Sequence, residues 1–284
     1  MSNDTRQRFS VSTVSYLNAR PLVSGLEVHP EITLVPDVPS RLLDNLVSGR
    51  ADIALCPVID FQRSRVPLVI VPVGGIGSDG PTFTVRIFSR QPLARVRRIW
   101  TDIESHTSAA LLETIYQTRF GYRPHLEPLS GIDGSGTYSA DREALLLIGD
   151  KVVGAAPQPE DYPYQLDLGE AWKEITGLPF VFAVWMARKG TDLGHLPRLL
   201  EEQLGLNLAR ISSIAEADAP AAGWPAELAE HYLGRILDYH IGARERAAIE
   251  TFWKLCKDLG MIAELRPWSE IRGSSDTSQD PGSP

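Results

Sequence analysis

The sequence predicts an α/β protein of two domains, one inserted into the other, with a ligand cleft between them. Three observations carry this reading. Strands and helices alternate through the first third of the chain, as in sheets wound with helical crossovers. Asp52-Ile53-Ala54-Leu55-Cys56-Pro57-Val58 is a continuous apolar run, the pattern of a parallel strand covered on both faces. Two extended strands, near 84–89 and 180–187, flank a block that itself alternates as α/β. A block entered and left by strands suggests an insertion with two crossovers. The expected division is an outer domain of residues 1–88 and 184–268, an inserted domain of 89–183, and a disordered Ser/Gly/Pro/Asp-rich tail of 269–284.

The elements follow in order. Residues 9–14 and 32–35 are strands. Ser40 is placed to cap a helix whose buried face carries Leu42, Leu43, Leu46 and Val47, and Gly49 closes it. Residues 66–73 form another apolar stretch, and 74–81 a Gly-rich loop. Residues 82–89 alternate as a strand, and 95–101 form a short one. A helix carrying Leu111, Leu112, Ile115 and Tyr116 starts after residues 105–108. Residues 144–148 and 180–187 are apolar strands. From Leu196 onward the chain is mainly helical, with helices near 196–210, 226–240 and 243–259.

Composition narrows the function classes. The chain has 284 residues, 43% hydrophobic and 23% charged, ordinary for a soluble globular protein. A net charge of −8 argues against nucleic acid and anionic membrane surfaces as partners. Cys56 and Cys256 belong to no Cys-x-x-Cys pair or His/Cys cluster, so no zinc site is suggested. Residues 1–8 lack the apolar core of a signal peptide, and no later run spans a bilayer, so the expected location is cytoplasmic. No Walker loop, dinucleotide fingerprint or nucleophile elbow is present, which argues against ATP or nicotinamide use. A monomer and a homodimer are equally compatible with the sequence.

Five segments are candidates for the site. In Ser15-Tyr16-Leu17-Asn18-Ala19-Arg20-Pro21 a strand gives way to polar residues, which puts Tyr16 and Asn18 on a strand-to-helix loop. Ligands of open α/β sheets bind beyond the carboxyl ends of strands, and Asn18 offers a donor and an acceptor. Asn18 reads equally as a helix cap. In Gly77-Ser78-Asp79-Gly80-Pro81-Thr82-Phe83-Thr84 the backbone of Gly80 and the hydroxyls of Ser78, Thr82 and Thr84 can meet a ligand, or form a surface turn. Ser105-His106-Thr107-Ser108 precedes a helix. Its unpaired N–H groups and partial positive charge suit a carboxylate, and three hydroxyls exceed what capping needs. His106 is a contact, an acid/base group or a solvated neighbour. Leu147-Ile148-Gly149-Asp150 ends a strand in a carboxylate that either orients a hydroxyl or braces a helix. Trp172 walls the cleft or packs in the core.

In this order and spacing the segments resemble the chorismate dehydratase family of the futalosine route to menaquinone. The matching pieces are Tyr16-Leu17-Asn18-x-x-Pro21, Gly49-x-x-Asp52-x-x-Leu55-x-Pro57-Val58, the Gly80-Pro81 loop, Thr107-Ser108 before Ala110-Leu111-Leu112, Ile148-Gly149-Asp150, and Asp167-Leu168-x-x-x-Trp172 with Thr176-Gly177-Leu178-Pro179-Phe180-Val181. They span about residues 9 to 260. The resemblance implies a type II periplasmic-binding-protein-like fold with two crossover strands. It also implies conversion of chorismate to 3-[(1-carboxyvinyl)oxy]benzoate and water by a carbon–oxygen lyase without metal or organic cofactor. His106 stands where that family's pattern has Arg, and Thr84 where a Ser is usual. The same fold serves 1,4-dihydroxy-6-naphthoate synthase of that pathway, and non-catalytic binding proteins for small carboxylates. On the dehydratase reading Asn18, His106 and Asp150 are the catalytic candidates. Tyr16, Ser78, Gly80, Thr82, Thr84, Ser105, Thr107, Ser108 and Trp172 are the substrate-binding ones.

Overall fold

The computed structural model describes residues 8–101, 105–129, 138 and 141–271. The chain opens with β1 (Phe9–Thr13), α1 (Arg20–Val23), β2 (Ile32–Pro36), α2 (Pro39–Val47), β3 (Ile53–Pro57), α3 (Asp60–Arg63) and β4 (Leu68–Ser78). A second group follows: β5 (Val85–Ser89), β6 (Arg98–Thr101), α4 (His106–Phe120), β7 (His125–Pro128), β8 (Ala144–Ile148), α5 (Lys151–Gly154), β9 (Tyr164–Asp167) and α6 (Leu168–Thr176). The chain returns through β10 (Phe180–Arg188) and ends in α7 (Leu196–Leu208), α8 (Ile211–Asp218), α9 (Ala226–His231) and α10 (Ala243–Asp258).

The strands form two five-stranded sheets, ordered β2-β1-β3-β10-β4 and β7-β6-β8-β5-β9. Each has a parallel trio beside an antiparallel strand. In the first, β1 runs parallel to β2 and β3 while β10 opposes β3 and β4. In the second, β6 runs parallel to β7 and β8 while β5 opposes β8 and β9. The chain crosses between the sheets twice, from β4 to β5 and from α6 to β10. Every residue of β3 is buried, as its unbroken apolar run requires.

The sheets shift the expected division of the chain. Residues 85–88, assigned to the outer domain, belong to β5, which pairs only with strands of the second sheet. Conversely β10 lies wholly on the first sheet from Phe180, although 180–183 was expected in the insert. The passages are the short links 79–84 and 177–179, because pairing and not extended sequence decides which sheet owns a strand.

Three local expectations change for backbone reasons. Ser40 does not cap α2: Val38 is the N-cap and Pro39 takes the first turn, where its missing N–H costs nothing. The helix expected over 226–240 ends at His231 and continues as a π-helical turn, Tyr232–Ile236. The backbone then leaves helix to exchange hydrogen bonds between Asp238 and Gly77 on β4. Ser269 to Ile271, assigned to a disordered tail, also pair with β4 through Ile70. Both departures satisfy N–H and C=O groups along the outer edge of β4 that would otherwise be open. The rest of that tail, and residues 1–7, lie outside the described residues. Within the described residues no helix is long and apolar enough to cross a membrane.

Candidate functional site

The carboxyl ends of β1 and β3 point into a cleft that both sheets line, with about 930 Å³ of empty space, part of it open to solvent. The first sheet contributes Tyr16 and Asn18 from the loop after β1, Leu55 and Pro57 from β3, Ile76 from β4 and Phe182 from β10. The second contributes Thr84 and Val85, the start of α4, Ile148 at the end of β8 and the three residues 149–151 that follow it. Tyr232 and Leu237 close it from the C-terminal part. The wall is mostly apolar, with a few polar groups converging on it, the usual constitution of a small-molecule site.

Asn18 is positioned through its backbone: its carbonyl accepts from the Tyr239 hydroxyl at 3.1 Å. Its side chain lies near the Tyr232 phenol and acts to lower that group's pKa. Its Oδ1 is buried and has no partner among the described residues. A buried acceptor without a partner is costly in a folded protein, and a cleft-lining one is fitted to receive a ligand donor. Across the cleft Thr84 Oγ1 lies 2.7 Å from the Tyr232 hydroxyl.

The start of α4 supplies the hydroxyl cluster. Ser105 is the N-cap residue but does not cap with its side chain; instead its Oγ donates to Ser108 Oγ at 2.8 Å. Thr107 Oγ1 accepts from the Ile59 amide at 3.3 Å, which leaves its own hydrogen to donate. Ser105, Thr107 and Ser108 all line the cleft, and α4 runs from there for 15 residues with its positive end toward them. Lys151, at the start of α5, is the one Lys or Arg among the lining residues.

Asp150 lies at the junction of the two sheets. Its Oδ1 accepts from Trp224 Nε1 at 2.9 Å, and the backbone N–H of Leu17, beside Asn18, also favours its ionised form. Burial raises its pKa above the ordinary carboxylate value, and these two donors hold the rise in check.

Four expected contacts lie elsewhere. His106 does not line the cleft. Its Nδ1 is 2.9 Å from Asp60 Oδ1, and Asp60 is buried behind the helix start. That partner raises the imidazole pKa, with burial acting against it. Trp172 is fully buried; its Nε1 donates to Pro179 O and its ring meets Phe180 and Phe252 edge-on, so it is core. Ser78 is buried and donates to Gly80 O at 3.1 Å, so the Ser78–Gly80 turn satisfies itself and neither residue lines the cleft. Thr82 does line it, while its hydroxyl is engaged by Asp167. The sequence reading missed Tyr232 because it sits in a segment with helical patterning, where an aromatic residue signals core packing.

A sequence model described as menaquinone biosynthesis matches residues 9–258. The chain belongs to the menaquinone biosynthesis family. Within this family's reach stands a chorismate dehydratase of Thermus thermophilus, 29% identical over 261 residues, which cover 84% of this chain and 91% of that protein. A chorismate dehydratase of Campylobacter jejuni is 25% identical over 247 residues, covering 87% of this chain and 92% of its own. Solved structures place the family member's fold among periplasmic-binding-protein-like folds. A protein from Archaeoglobus fulgidus superposes with a TM-score of 0.71 at 16% identity, over 90% of this chain and 98% of the other. The periplasmic aliphatic sulphonate binding protein of Escherichia coli gives 0.62 at 15% identity, over 91% and 94%.

Proposed function

We propose that this chain is a chorismate dehydratase, removing water from chorismate to give 3-[(1-carboxyvinyl)oxy]benzoate. The observation that carries the reading is the pairing of a hydroxyl-rich helix start with an unsatisfied amide oxygen in one apolar cleft: Ser105, Thr107 and Ser108 with Asn18. A planar ring bearing a carboxylate and a hydroxyl suits those groups. The family membership and the names of the relatives support the choice of substrate.

The reaction removes the proton on ring carbon 3 and the hydroxyl on carbon 4. The ring carboxylate is conjugated to carbon 3, so charge flows onto it as the carbon–hydrogen bond breaks. Donors at the start of α4 strengthen as that charge grows, which is where stabilisation accelerates the reaction. The electron pair then closes the aromatic ring and expels hydroxide, which gains a proton and leaves as water. Asn18 holds the reacting region. With His106 engaged by Asp60, two bases remain: Asp150, and the substrate's own enolpyruvyl carboxylate.

The test is to mix the purified protein with chorismate and follow products by chromatography and mass. Loss of one water with appearance of an aromatic enolpyruvyl ether supports the proposal. Protection of the fold by chorismate without turnover makes the protein a receptor instead, and neither effect removes chorismate as its ligand. Asp150→Asn then divides the bases: retained turnover assigns the proton to the substrate carboxylate.

A further inference from the structure

Tyr232 is 1% exposed yet reaches the cleft. It opens the π-helical turn Tyr232–Ile236, a rare backbone form found often at functional sites. Its ring stacks on Trp224 at 4.9 Å and an interplanar angle of 25°, and meets Phe83 at 6.4 Å. Phe83 is itself held in the left-handed region at φ 65°, the one non-glycine residue so placed among those described. The ring therefore has fixed neighbours on two sides, and the hydroxyl has a fixed position.

Two polar groups of the cleft meet at that hydroxyl. Asn18 Oδ1 has no partner among the described residues, and Asn18 favours the ionised phenol as a donor does, so its amide nitrogen is the group turned toward the phenol. The phenol hydroxyl also shares a hydrogen bond with Thr84 Oγ1 at 2.7 Å, in which either oxygen can donate. Facing the cleft are an acceptor, Asn18 Oδ1, and the Thr84 hydroxyl, which is free to donate to a ligand when the phenol gives its hydrogen to Thr84 Oγ1. Burial raises the phenol pKa, because a phenolate there would lose its hydration; the group stays protonated through neutral pH.

We propose that Tyr232 is a positioning residue for the dehydration, fixing Asn18 as the acceptor and Thr84 as the donor for the leaving hydroxyl. This rests on the dehydratase reading. The substrate hydroxyl gives its hydrogen to Asn18 Oδ1 and accepts one from Thr84. As the carbon–oxygen bond breaks, the pair stays on oxygen and the Thr84 contact strengthens. The proton released from carbon 3 ends on that oxygen, and water departs.

Tyr232→Phe keeps the ring stack and removes the relay. The expected result is a fall in kcat of at least about tenfold with KM changed less than about threefold, the signature of an interaction made in the transition state. Thr84→Val should cost a similar factor, and the double variant little more than either, because both break one chain. Thr84→Ser should retain most of the turnover. A readout without substrate is the Asn18 side-chain amide in proton–nitrogen NMR, assigned by its loss in Asn18→Ala; it should shift and exchange faster in Tyr232→Phe. A Tyr232→Phe protein with unchanged kcat, or fully additive losses with an unaltered Asn18 amide signal, overturns the proposal. Wild-type protein that leaves chorismate intact overturns the functional reading instead, and the orienting role of Tyr232 is then decided by the amide signal alone.

Discussion

Asp167, at the end of β9, holds Thr82 in the outgoing passage between the sheets. Its Oδ1 accepts from the Thr82 amide at 2.9 Å, and the Thr82 hydroxyl lies 3.2 Å from both carboxylate oxygens. Oδ2 accepts from the Phe83 amide at 2.8 Å, which stabilises the left-handed backbone there. The same carboxylate caps α6 through the Gly169 and Glu170 amides. One buried charge thus fixes the outgoing link, the end of β9 and the helix start, and with them the cleft residues Thr82 and Thr84.

Replacing Asp167 by Ala leaves buried amides without acceptors and removes a helix cap. The expected loss is about 3 kcal/mol, combining a cap of about 1 kcal/mol with unsatisfied amides at about 1–3 kcal/mol. Urea unfolding of the two proteins measures it. A loss within error of zero would refute the central role given to this carboxylate.

Gly169 admits no side chain. A Cβ there would lie 2.4 Å from Gly80 O and 2.4 Å from Thr82 Cγ2, so the backbone of the outgoing link must move. Gly169→Ala should lower stability by about 1–3 kcal/mol, the range for overpacking, and reduce chorismate turnover as Thr82 shifts. Gly154→Ala is the control: nothing lies within 4 Å of its Cβ, and stability should hold within about 0.5 kcal/mol.

The His106–Asp60 pair makes stability depend on pH. His106 has a folded pKa above its ordinary 6.5, chiefly through the Asp60 hydrogen bond, with Arg63 opposing and Asp44 assisting. Its contribution is therefore complete below the unfolded value and is lost as pH rises through the folded one. The unfolding free energies of wild type and His106→Ala should differ most near about pH 5 and converge toward about pH 9. A gap that widens with pH would contradict the pair.

The hydroxyls at the start of α4 should govern substrate affinity. Ser108→Ala and Thr107→Val each remove a donor to a carboxylate. A hydrogen bond to a charged group contributes about 1.5–3 kcal/mol, so KM for chorismate should rise about 10- to 100-fold for each. Steady-state kinetics tests this, with Thr107→Ser expected to stay within about threefold of wild type. An unchanged KM would move the carboxylate elsewhere, with Lys151 the next group to examine.

Much of the architecture was legible in the sequence because its signals are local. The unbroken apolar run of 53–57 marks a covered strand, and the hydroxyls of 105–108 mark a helix start with donors to spare. The polar break after β1 marks the loop that carries Tyr16 and Asn18 into the cleft. Local signals could not tell which sheet owns residues 85–88, since pairing joins β5 to strands some 60 and 80 positions away in sequence. Nor could they place His106, whose direction is set by Asp60 from another element, or Trp172, which the core claims through Pro179 and Phe252. Tyr232 is the strongest case. Its neighbours Asn18 and Thr84 are 214 and 148 residues away, and only the meeting of both sheets with the C-terminal π turn turns a core-like aromatic into a polar contact of the site. Periodicity and chain-local chemistry are written in the sequence; the direction of a side chain across a cleft is decided by long-range packing.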